Sequence, residues 1–127
     1  MARTTLKQLT DKMLAYGQRF PEVTVGHPWG ETTLQVRGKN FLFLRHEGDE
    51  LSFSVKLPRS AVAALALPFV QPAAYGLGRH GWVTCRLSSV AAGMEDQCLA
   101  WLDESYAAVA PKKLAAMAAE KPRRSRA

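Results

Sequence analysis

The chain has 127 residues, 47% of them hydrophobic and 22% charged, a size and composition that suit one folded domain with a single core. Its net charge of +6 is unevenly placed, because residues 1–111 carry eleven Lys/Arg against ten Asp/Glu and the excess lies in residues 112–127. The body thus lacks a strong field from net charge, and the longest apolar run, residues 61–70 with Pro68 inside it, is about half a membrane span.

Leu6, Leu9, Met13, Tyr16 and Phe20 recur at helical spacing, which predicts a helix over about residues 5–19. Thr5-Leu6-Lys7-Gln8 has the capping-box pattern at its start, and Pro21 stops it. The period then changes. After the Pro28-Trp29-Gly30 corner, residues 32–37, 40–45 and 51–56 read as short strands, joined by turns at Gly38 and at Glu47-Gly48-Asp49. Such runs predict an antiparallel meander.

Pro58 fits the first position of a short helix to about Leu65, since its missing amide would have no partner there. Pro68 and Pro72 end that helix and force an irregular crossing from Phe69 to Gly78; residues 81–87 return to strand. Residues 94–109 form a second long helix with Cys98, Trp101, Leu102 and Val109 inward, and residues 112–119 a last short one. The whole is α+β: a two-layer sandwich in which the N- and C-terminal helices cover one face of an antiparallel sheet. One domain is expected over residues 1–119. Residues 120–127, with four basic side chains and Pro122, are expected to be a disordered tail.

The catalytic inventory is thin. His27, His46 and His80 lack paired-ligand spacing, and the chain has no GxSxG elbow, phosphate loop or GxGxxG. Neither an enzyme nor a cofactor is expected. Cys85 and Cys98 are too far apart for a redox pair or zinc knuckle and sit in apolar surroundings. The N-terminal residues lack the apolar core of a signal peptide, so a cytoplasmic protein with no membrane partner is expected.

Two groups of residues remain. Lys39, Arg45, Lys56 and Arg59 lie on or beside neighbouring strands, and Lys112 and Lys113 could join them as phosphate contacts. Trp29 and Trp82 stand at corners near His27, Tyr75 and His80; tryptophans so placed either cap the ends of a sheet or wall a ligand site. The facing of Lys56 is not settled by its neighbours.

Phe20-Pro21 with Val23-Thr24, Pro28-Trp29-Gly30, Gly38-Lys39-Asn40-Phe41, Lys56-Leu57-Pro58, Gly81-Trp82-Val83, and Trp101-Leu102-Asp103-Glu104-Ser105-Tyr106 closing on Ala110-Pro111-Lys112-Lys113-Leu114 follow one another in order. Together they resemble the MmcQ/YjbR family, from the first helix to about Leu114. The resemblance implies a frataxin-like (CyaY-like) two-layer fold and DNA binding through hairpin wings. The frataxin side of that comparison suggests iron, but the first helix offers only Asp11 as an oxygen ligand. The leading expectation is a DNA-binding module in which a hairpin wing docks and Lys39, Arg45, Lys56, Lys112 and Lys113 hold phosphates. The rival is a module binding a protein or a small anionic ligand at His27, Trp29, Tyr75, His80 and Trp82.

Overall fold

The computed structural model describes residues 4–27, 30–74 and 77–120. Helix α1 (Leu6–Gln18) starts where the capping box places it: Thr5 Oγ1 accepts from the Gln8 amide at 3.0 Å, and Gln8 Oε1 accepts from the Thr5 amide at 2.9 Å. It buries Leu9, Met13, Tyr16 and Gly17. At Gly17 the helix rides so close to the sheet that a Cβ would stand 2.3 Å from Leu34 Cδ1.

Six strands follow: β1 (Val23–Gly26), β2 (Thr32–Val36), β3 (Lys39–Glu47), β4 (Glu50–Lys56), β5 (Val70–Pro72) and β6 (Trp82–Leu87). They form one antiparallel sheet in the order β1-β2-β3-β4-β6-β5. The β2–β3 turn places Arg37 at φ 53° and Gly38 at φ 79°, the pair of left-handed residues that a type I′ hairpin needs. The sheet is therefore the expected meander with two outer strands added. Both escape a reading by alternation because they are four and three residues long, and β5, inside the supposed irregular crossing, ends on a proline. The rest of that crossing includes a 3-10 turn, Leu77–His80.

Helices α2 (Ala61–Leu65), α3 (Met94–Val109) and α4 (Lys112–Glu120) complete the chain as described. The core lies between the sheet and α1 with α3, and includes Leu34, Leu42, Leu44, Leu51, Phe53, Val55, Val83, Cys85 and Leu87 from the strands. A bulge in β3 shapes it. Leu34 pairs with Leu42 but Gln35 pairs with Asn40, so Phe41 is the extra residue, and it joins Leu42 in the core. Phe41 then meets Tyr106 edge-on at 5.3 Å, while Phe20 stacks on Tyr106 at 4.5 Å.

Three consecutive side chains of α3 fasten the layers. Glu104 accepts from the amides of Arg59 and Ser60 and from the Ser60 hydroxyl. Ser105 accepts from the Lys56 amide and donates to the Phe41 carbonyl, and Tyr106 donates to the Pro21 carbonyl. Trp101, 4% exposed, is core as its helical spacing predicts.

Candidate nucleic-acid interface

Residues directly opposite in an antiparallel pair project from the same face. Since Leu42, Val55 and Val83 point into the core, their neighbours in sequence point the other way. The second face thus carries a row of Thr33, Phe43, Ser54, Thr84 and Gln71, a row of Arg45, Ser52 and Arg86, and a pair, Lys56 and Trp82. Among the described residues no α-helix buries apolar groups on this face; α1, α2 and α3 contribute to the core on the other side.

Its centre is aromatic and its flanks are basic. Phe43 and Trp82 lie edge to face, with ring centroids 5.5 Å apart. Trp82 is 8% exposed and Phe43 half-buried. With about 4.8 Å between strands and 3.4 Å per residue along them, the backbone of Arg45 lies about 7 Å from that of Phe43, Lys56 about 8 Å and Arg86 about 12 Å. Arg86 is exposed, Arg45 and Lys56 are half-buried, and the side chains of Lys56 and Arg86 have no salt bridge among the described residues. Polar side chains fill the remaining positions. Ser54 and Thr84 share a hydroxyl hydrogen bond of 2.7 Å, and Thr33, fully buried against Gly26, leaves Oγ1 without a partner, as Asn40 leaves Oδ1. The face turns acidic at the β3–β4 hairpin, where Glu47 pairs with Glu50 beyond Arg45.

The five expected phosphate contacts are not all brought together. Arg45 and Lys56 share the face opposite the helices. Lys39 pairs with Val36, a core residue, so it lies at the sheet's end on the helix-bearing side. Lys112 and Lys113 are exposed in the first turn of α4, also in the helical layer. Lys113 instead joins Arg37 in drawing the Glu22 carboxyl below its ordinary value, the Arg37 hydrogen bond being the larger cause.

Of the rival set, His27 and His80 are exposed and Trp82 is packed on Phe43; Trp29 and Tyr75 lie outside the described residues. Lys56 and Trp82, drawn from the two competing groups, are opposite one another. Arg86 and Phe43 escaped the sequence reading. The signal for Arg86 was present: Val83, Cys85 and Leu87 alternate as core, which puts Arg86 on the face of Trp82. The signal for Phe43 was masked by the bulge.

A separate cavity of about 370 Å³ lies among the helices, walled by Phe20, Tyr106 and alanines of α3 and α4, with Arg59, Asp103 and Glu104 as its polar residues. Both carboxylates are engaged, Asp103 by the Tyr16 hydroxyl and Glu104 by Arg59 and Ser60. Among the described residues no cluster of His, Cys, Asp and Glu is arranged to hold a metal, and no helix is long and apolar enough to cross a membrane.

The model of the YjbR family matches residues 18–108. The chain belongs to the YjbR family. Among solved structures, this YjbR chain is similar to a protein from Pseudomonas syringae whose crystal structure was determined as a structural-genomics target. The two are 18% identical with a TM-score of 0.54, over 75% of this chain and 93% of that one. That likeness supports the fold. No match is found among curated proteins. For the YjbR domain the match spans the sheet, α1's last residue and nearly all of α3, so the face opposite the helices lies wholly within it.

Proposed function

We propose that this protein binds nucleic acid through the sheet face opposite its helices. The observation that carries the reading is the convergence of Arg45, Lys56 and Arg86 around Phe43 and Trp82 on one surface of the three adjoining strands β3, β4 and β6. Cations on a sheet beside an aromatic ring match the chemistry of a phosphate chain with bases to stack. The basic C-terminal residues add charge, and contacts of that kind hold phosphates without reading sequence. The hairpin tips support the reading less well than the face. The β3–β4 tip is exposed and presents Glu47, Asp49 and Glu50, which repel phosphate, and at the β2–β3 tip Arg37 is already paired with Glu22.

The test is a salt titration of binding to labelled oligonucleotides, using the full chain. Three phosphate contacts give a slope of log K against log salt of roughly −2 to −3. A Lys56→Ser/Arg86→Ser variant is expected to flatten it by about 1.5, while serines at Lys121, Arg123, Arg124 and Arg126 leave the contribution of the face intact. A slope that follows only the C-terminal substitutions refutes the proposal.

A further inference from the structure

We infer that the ligand of this face is single-stranded DNA laid across the sheet, rather than a duplex; the inference rests on the proposed nucleic-acid function. Six strands about 4.8 Å apart make a surface roughly 24 Å wide, twice the roughly 12 Å of a major groove, which admits a helix or a two-stranded ribbon. The cations are not on the rim, where a groove edge could reach them. Arg45 stands on β3 with two strands outside it, and Arg86 on β6 with β5 outside it. A rigid duplex resting on such a face keeps its bases inside and offers the ring nothing.

A flexible single strand has no such constraint. Phe43 is the half-buried ring at the middle of the face, held edge-on by Trp82, and Arg45, Lys56 and Arg86 surround it on different sides. One unstacked base on Phe43 puts its flanking phosphates toward cations on either side. The Glu47–Glu50 pair beyond Arg45 closes off the hairpin end, so the chain crosses the strands instead of running out along β3 and β4. DNA is favoured over RNA because the hydroxyls beside the ring, Ser54 and Thr84, bond each other, which leaves at most one of their two protons for a 2′-hydroxyl, the group by which a protein selects RNA.

The experiment measures fluorescence anisotropy of the full chain with three probes of about ten nucleotides, within the span of such sites: an oligothymidine, a duplex of equal length and an oligouridine. The expected result is oligothymidine bound at least about tenfold more tightly than the others. Phe43→Leu is expected to weaken it by about tenfold with the salt slope unchanged, and Phe43→Tyr to restore it. Thermal melts check that both variants fold, and Phe43→Tyr keeps the ring that packs on Trp82. Duplex bound as tightly, with no loss in Phe43→Leu, overturns the inference and leaves the cation-based reading standing. Equal binding of oligouridine overturns the choice of DNA. Failure of all three probes to bind at low salt removes the proposed function itself.

Discussion

Glu104 ties α3 to the turn that leads into α2, and removing it has a calculable effect. The side chain is 7% exposed and accepts three hydrogen bonds: the Arg59 amide at 2.7 Å, the Ser60 amide at 3.0 Å and the Ser60 hydroxyl at 2.6 Å. Hydrogen bonds to a charged group contribute about 1.5–3 kcal/mol each. Their sum is an upper bound, because Arg59 is exposed and Ser60 half-buried, and water replaces part of what is lost. Glu104→Ala is therefore expected to cost about 2–3 kcal/mol. Glu104→Gln keeps the shape and one carbonyl oxygen for the two amides, while the Ser60 hydroxyl turns to accept from the new amide; that change costs about 1 kcal/mol. Ser60→Ala removes one bond and costs about the same. The two alanine changes share a partner, so their combined effect falls short of the sum. Urea unfolding of the four variants measures all of this. An unchanged midpoint in Glu104→Ala, or Glu104→Gln as damaging as Glu104→Ala, refutes the account.

Gly17→Ala adds a methyl against Leu34, which is fully buried; overpacking of about 1–3 kcal/mol outweighs a helix-propensity gain of up to about 1 kcal/mol, so melting temperature falls, and Leu34→Val partly restores it. Tyr106→Phe loses the hydroxyl bond to Pro21 and keeps the stack on Phe20, a loss of about 1 kcal/mol by urea unfolding. Burial pushes the Cys98 thiol up to about 12 and the Cys85 thiol higher still, so neither reacts with a thiol reagent at pH 8 until the chain unfolds. Because the folded value is raised, the thiol contribution is fully present below the ordinary thiol range and is lost as pH rises from there to about 12; a stability curve that is flat across that window contradicts the burial.

The elements legible in the sequence are those whose local rules agree. The Thr5–Gln8 capping box fixed the start of α1 because both of its hydrogen bonds are local. The meander followed from alternation and glycine turns. The outer strands were not legible, since β1 and β5 exist only by pairing with β2 and β6, partners distant from any pattern of their own. The face of Lys56 followed from its pairing with Trp82, information that resides in another strand. The bulge did most to hide the site: Phe41-Leu42-Phe43-Leu44 looks like an unbroken apolar run because the register shift turns Phe41 inward beside Leu42, while Phe43 alternates outward between Leu42 and Leu44. Lys112 and Lys113 were grouped with the strand cations by charge alone, and charge carries no information about layers.

The ties between Tyr16 and Asp103, and between Tyr106 and Pro21, span 87 and 85 residues of chain. A protein made from its N-terminus forward therefore has its hairpins before it has the second half of their cover. Until α3 is synthesised, the apolar side of the sheet is covered only in part, by α1 and α2. Local hairpin contacts can form early, but closure waits for the distant helix. The nascent sheet is at its most adhesive in that interval, and a chain shortened before Tyr106 would stay in it.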